Sequence, residues 1–251
     1  MTMSSKIISH KNYPQGFTLV EMAIVLMIVG LLLGGLLVPL SAQMEQRNIT
    51  ETRKQLDEIQ QALIGFAIIN GRLPCPANPA ANTGVEDPFG GSTSAIPCAH
   101  PYDGYIPAST LGLSGMNSSG FVVDSWGNPI RYAVTKWSNN TFTTPNGMTL
   151  AGISNLLPTS LLVCSTAPMP ASPGTSCNAG TSLTSNGVPV VIFSTGKNGG
   201  QGSAGADETA NIDGINVTFV SHDFTPTFDD LVVWISPNIL INRMVAAGKL
   251  P

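Results

Sequence analysis

Residues 22–40 read MAIVLMIVGLLLGGLLVPL, 19 positions without a charged side chain. As a helix, a run of that length covers the roughly 30 Å hydrocarbon core of a bilayer. One end of the chain is therefore built for lipid or for other apolar helices. An excised secretory signal would have a shorter apolar region closed by a small-x-small cleavage site. No such site closes this run, and the nearest small residue, Gly16, precedes it. Directly before the run stands Glu21. A carboxylate at the edge of a span is costly unless it is paired, hydrated or protonated.

The rest of the chain has another texture, which the mean hydropathy of +0.20 conceals. Charged residues make up only 10% of the chain, against roughly 25% in ordinary soluble domains. There are 26 glycines and 19 prolines among 251 residues, a composition suited to a loop-rich exported domain. The length accommodates one sizeable domain or two small ones. From Leu73 onward there are 5 basic and 10 acidic residues, a net charge of −5. A domain of that sign repels phosphate backbones, so no nucleic-acid partner is expected.

After the apolar run, good helix formers continue until Gly71, and Leu73-Pro74 ends the pattern. Leu56, Ile59, Leu63 and Phe66 recur at spacings of three and four, forming one apolar stripe. Residues 43–55 show no stripe. The pattern predicts a single helix over 17–70, some 54 residues and about 80 Å long. Its first half belongs in lipid or a filament core, and its second half packs on a globular head. Gly30, Gly34, Gly35 and Pro39 lie in the first half. They read either as a built-in weak point or as ordinary membrane-helix residues.

Beyond Pro74, short apolar runs alternate with Gly/Pro/Asn/Ser clusters, predicting strands at 120–124, 130–135, 161–164, 188–194, 217–220 and 231–235. Ser125-Trp126-Gly127-Asn128-Pro129 is a turn, with Trp126 expected in the core. Ser236-Pro237-Asn238 opens a terminal helix that Gly248 stops, with Leu240, Ile241, Met244 and Val245 toward the head and a frayed end after it. Four cysteines allow three pairings. Cys75–Cys98 and Cys164–Cys177 are the parsimonious disulfides, each worth about 3 kcal/mol by loop closure. The alternative for the first pair is zinc with His100, which lacks a fourth ligand.

Gly16, followed by Phe17-Thr18-Leu19-Val20-Glu21 and the long apolar helix, resembles the class III signal of type IV pilins and type II secretion pseudopilins. The resemblance implies that a prepilin peptidase/N-methyltransferase cuts after Gly16 and methylates the new amino terminus at Phe17. Glu21 is then the assembly residue, its carboxylate offset by the α-amine of a neighbouring subunit. The segment DSWGNPIRY at 124–132 resembles the D-x-W-G-N-P turn of pseudopilin heads. The implied fold is α+β and pilin-like: a long N-terminal helix on a small antiparallel sheet, with long loops and a C-terminal helix. The implied organisation is a leader at 1–16, a transmembrane and assembly segment at 17–42, an amphipathic segment at 43–72 and a periplasmic or extracellular head at 73–251. The implied function is a minor or divergent structural subunit polymerising into a type IV pilus or a secretion pseudopilus. Its partners are other pilin or pseudopilin subunits and an inner-membrane assembly platform. The location is the bacterial inner membrane, single-pass, and the filament after assembly. Two other readings are a membrane-tethered binding or adhesion module that does not polymerise, and an anchored periplasmic hydrolase.

Catalytic signals are thin, and no enzyme is expected. The histidines are His10, His100 and His222; His222-Asp223 could pair, but no G-x-S-x-G elbow accompanies it. The G-x-G-x-x-G at 200–205 leads into a polar segment, whereas a dinucleotide site requires an apolar helix there. Beyond that zinc alternative, the ligand suggested is calcium. The loop at 194–202 resembles the S-x-G-x-x-G-x-x-G calcium loop of the major pseudopilin, and Asp207, Glu208, Asn211 and Asp213 follow it with hard oxygen donors. Lys197-Asn198 departs from that loop's acidic character.

Overall fold

The computed structural model describes residues 16–157, 159–167, 176–177, 180–184, 187–199, 205–214 and 217–250, without the side chains of 35–40 and 137–138. The leader before Gly16 and residues 200–204 of the glycine-rich loop lie outside that set. The chain divides between Arg47 and Asn48 into two compact units.

Helix α1 (Leu19–Asn70) runs through that division. It starts two residues later than the apolar pattern predicts, because Thr18 takes the capping position. Over residues 19–33 its large apolar side chains are exposed, a surface that needs lipid or protein against it. Among the described residues, no helix is long and apolar enough to cross a membrane. The apolar run of the sequence continues through 35–40, beyond the described side chains. Gly71, at φ +63°, ends the helix and returns its N–H to Ala67 O at 2.9 Å.

In the second unit the elements after α1 are β1 (Gly104–Tyr105), α2 (Ala108–Leu111), β2 (Arg131–Val134), α3 (Trp137–Asn140), α4 (Gly147–Ala151), β3 (Leu162–Cys164), β4 (Val190–Ser194), α5 (Ala206–Ile212), β5 (Thr218–Val220), β6 (Leu231–Ile235) and α6 (Pro237–Ala246). One antiparallel sheet has the order β1-β2-β4-β6, with Tyr132 opposite Ile192 and Ile192 opposite Val233. Strands β3 and β5 form a separate parallel pair. The two-residue period of a strand decides which side chain meets which layer. Tyr132, Val134, Val190, Ile192 and Ile235 share a core with Leu56, Ile59 and Leu63 of α1 and with Leu240 and Met244 of α6. Ala133, Val191 and Phe193 face the other way, onto Leu161, Val163 and Phe219. The architecture is α+β, a helix against a small antiparallel sheet with a C-terminal helix, consistent with a pilin-like fold.

Some expectations need correction. Residues 120–124 form only isolated bridges, Met116 to Val122 and Val123 to Pro129, because Asp124 turns the backbone away from a ladder. The buried stripe of α1 extends one turn further back, to Thr52, whose hydroxyl meets Ser125 Oγ at 3.1 Å. Phe66 is half-buried rather than in the core, with Ile64 and Ala67 buried instead. Val245 is exposed, while Leu250 of the predicted frayed end is buried and Lys249 N reaches Met244 O at 2.9 Å. Cys75 is bonded to Cys98 and Cys164 to Cys177, with Cα separations of 5.4 and 5.6 Å. A disulfide leaves Cys75 and Cys98 no thiolate for zinc.

Candidate functional site

Gly16, Phe17 and Thr18 lie in non-helical backbone ahead of α1, and Phe17 is 83% exposed. Thr18 and Glu21 form a reciprocal cap. Glu21 N donates to Thr18 Oγ1 at 3.2 Å, and Thr18 N donates to Glu21 Oε2 at 2.8 Å. The Thr18 hydroxyl also donates to Glu21 Oε2, at 2.8 Å. Thr at the cap with Glu three residues on satisfies two backbone donors that a helix start leaves open. The Gly16–Phe17 peptide bond therefore stands outside the helix, with no helical hydrogen bond holding it.

The second cluster belongs to the head. The Asp124 turn grips the loop that follows β4. Asp124 Oδ1 accepts from Trp126 N and Asn128 N, at 2.9 and 2.8 Å, and its Oδ2 accepts from Ser194 Oγ at 2.6 Å. Asn128 Nδ2 donates to Gly196 O at 2.6 Å. From the other side, Asp229 Oδ2 accepts from Lys197 N and Asn198 N, at 3.0 and 3.2 Å. Gly196 has φ +63°, and a Cβ there would run into Asp229. The D-x-W-G-N-P segment is thus a structural clamp. Trp126 packs against the main core only partly buried.

Around this loop, carboxylate oxygens of Glu208, Asp229 and Asp230 lie within 4.8 Å of one another, Glu208 and Asp230 being buried. Glu208 accepts from Asn198 Nδ2 at 3.0 Å and from Asp229 N at 3.0 Å. Asp230 Oδ2 accepts from Asn211 Nδ2 at 2.7 Å. Asp230 titrates at about 7, raised first by burial. The charges of Glu208 and Asp229 add to that rise, while the Asn211 hydrogen bond and the Arg131 charge oppose it. A cavity of about 30 Å³, lined by Arg131, Thr195, Asn198, Glu208 and Asp230 among others, adjoins the group. It has room for one water or one small ion. Asn198 Oδ1 is buried without a hydrogen-bond partner. Three carboxylates and a carboxamide oxygen are the hard donors that calcium takes.

Of the four residues the sequence suggests for calcium, only Glu208 is in this cluster. Asp207 accepts from Thr166 Oγ1 at 3.0 Å and from Ala167 N at 2.6 Å, and it faces His222 Nε2 at 3.2 Å. Asn211 holds both backbone groups of Val220, at 2.6 and 3.1 Å, and reaches the cluster only through its bond to Asp230. Asp213 is half-buried just after α5. Asp229 and Asp230 escape sequence reading, although an acidic pair abutting an apolar strand run is a signal that could have found them.

His222 meets Asp223 through the backbone carbonyl, with Nδ1 2.7 Å from Asp223 O, and its Nε2 lies 3.2 Å from the Asp207 carboxylate. His100 Nδ1 lies 3.3 Å from Asp103.

No curated protein and no solved structure matches the chain. Residues 11–37 match the family model of the prokaryotic N-terminal methylation motif, a span that contains Gly16, Phe17, Glu21 and most of the uncharged apolar run. At its amino-terminal end the chain carries the prepilin-type cleavage and methylation signal of type IV pilins and pseudopilins.

Proposed function

We propose that the protein is a minor or divergent pilin or pseudopilin subunit that polymerises through the first half of α1 into a type IV pilus or a secretion pseudopilus. The observation that carries this reading is the methylation motif at 11–37, which takes in Glu21 and most of the uncharged run. A prepilin peptidase/N-methyltransferase removes residues 1–16 and methylates Phe17. Residues 17–42 anchor the subunit in the inner membrane and later form the filament core, 43–72 join them to the head, and 73–251 face the periplasm. Cleavage creates a cationic α-amine at Phe17, and methylation keeps the charge. Glu21 then exchanges its own helix cap for the amine of a neighbouring subunit, which is favourable in a medium where an unpaired carboxylate costs several kcal/mol. Other pilin-type subunits and an assembly platform are the partners. Within this reading, Glu208, Asp229, Asp230 and Asn198 are the residues that would hold a calcium ion in the head.

Intact-mass and amino-terminal analysis of protein recovered from membranes tests the processing step. A start at methylated Phe17 is expected, and Gly16→Asp should retain the leader. A leader retained by the parent chain, or a mature-size product from Gly16→Asp, removes the peptidase assignment and leaves a tethered binding module. The pairing step has its own test. Glu21→Val should insert normally yet lower filament yield about tenfold or more, because every subunit added then lacks the pairing. Parental filament yield from that variant would defeat the pairing argument.

A further inference from the structure

We propose that the head carries a site for a single neutral sugar ring, in the hollow between the end of β6 and the first turn of α6. This inference uses the head alone and does not depend on polymerisation. The hollow has a volume of about 170 Å³, below the roughly 300–1,000 Å³ of pockets that enclose drug-sized ligands. It holds about one ring. Its walls include Trp234, Leu157, Leu183, Thr184, Ser236 and Asn238, and none of the described residues lining it is ionisable.

The polar groups are uncommitted in a way that favours a hydroxylated ligand. Ser236 stands at the N-cap of α6, yet its side chain makes no cap hydrogen bond. Serine is among the preferred caps, and forgoing that bond leaves a hydroxyl to bind elsewhere. Pro237 follows at the first helical position and has no N–H to offer. Asn238 on the same turn is exposed, presenting a donor and an acceptor side by side. Thr184 is buried and its hydroxyl accepts from Val163 N at 3.2 Å, which leaves its proton to donate. Beside these groups stands half-buried Trp234, which also packs against the second core and lies opposite Val191 across the sheet. An aromatic wall suits the C–H face of a pyranose, and carboxamide and hydroxyls suit its rim of hydroxyl groups. A charged ligand would be stripped of water there without a counter-charge.

The test uses the full chain in a zwitterionic detergent that lacks a sugar head group. Saturation-transfer NMR and calorimetry follow titration with glucose, galactose, mannose and N-acetylglucosamine, and with the charged glucosamine and galacturonate. Saturable binding of at least one neutral sugar is expected, with a Kd on the order of 1 mM. Asn238→Ala and Ser236→Ala should each weaken it several-fold, and Trp234→Leu by tenfold or more. Because Trp234 also supports the core, the double variant at 236 and 238 is the deciding one. Parental affinity in that double variant overturns the proposal. Absence of saturation by every neutral sugar below about 50 mM, or equal binding of the charged sugars, overturns it as well.

Discussion

Arg72→Ala is expected to lower the unfolding free energy of the head by about 3–5 kcal/mol. Arg72 and Glu86 form a two-pronged pair in the interior, with both Nη–Oε distances 2.7 Å. Their side chains are only 8% and 2% exposed. Glu86 also accepts from Cys75 N at 3.1 Å and Gly90 N at 3.2 Å, while Arg72 donates to Leu73 O at 3.2 Å. The guanidinium lies 5.0 Å from the Phe66 ring. The pair therefore ties the end of α1 to the loop that the Cys75–Cys98 bridge closes. Removing the arginine leaves a buried carboxylate facing two backbone N–H groups and no cation, and that orphaned charge is the main cost. Arg72→Met combined with Glu86→Gln should recover much of the loss, because a buried ion pair is worth little against a neutral replacement of similar shape. Denaturant titration of the full chain, disulfides intact, reads both effects. A loss under about 1 kcal/mol for Arg72→Ala would mean that the site hydrates freely and is not an interior pair.

How far the sequence foretells this molecule depends on the range of the interaction. The end of α1 at Asn70, the apolar strands β2 to β6 and the terminal helix are read from periodicity and turn residues, because each is decided within about a dozen neighbouring positions. The two-residue strand β1 has no such signal, since Gly104 and Tyr105 are strand only by pairing with Tyr132 and Arg131. Thr52 and Gln55 look like a polar helix face; they are bound because Ser125 and Val123 O wait opposite, roughly seventy residues on. The same holds for the carboxylate cluster. Asp207 and Asn211 are as acidic or amidic as Glu208, but the Thr166 hydroxyl, the Ala167 N–H and the backbone of Val220 claim them first. Asp229 and Asp230 enter the cluster because β6 pairs with β4, a register that no local pattern reveals. The methylation motif is legible in full because it is a contiguous run, residues 11–37, that needs no distant partner.

Stability of the head should fall as pH rises from 5 to 8 in the presence of a chelator, and Asp230 is the reason. Its carboxyl titrates at about 7 in the folded head against an ordinary 3.8. A folded-state value above the unfolded one means that the folded form holds the proton more tightly. The contribution is then fully present below the unfolded value and is lost as pH rises through about 7. The gap between the two values corresponds to at most about 4 kcal/mol. Arg131 and the Asn211 hydrogen bond already compensate part of the charge, so the measured fall should be smaller than that ceiling. Asp230→Asn keeps an acceptor for Asn211 and removes the titrating proton, so its stability should be nearly flat over the same interval. Calcium supplies the missing positive charge. At millimolar concentration it should raise the melting temperature of the parent at pH 8, do much less at pH 5 where the proton competes, and do little to the asparagine variant. A parent whose stability is flat between pH 5 and 8 without calcium would show that Asp230 ionises in the folded head at no cost. A calcium response preserved in Asp230→Asn would move the cation away from this cluster.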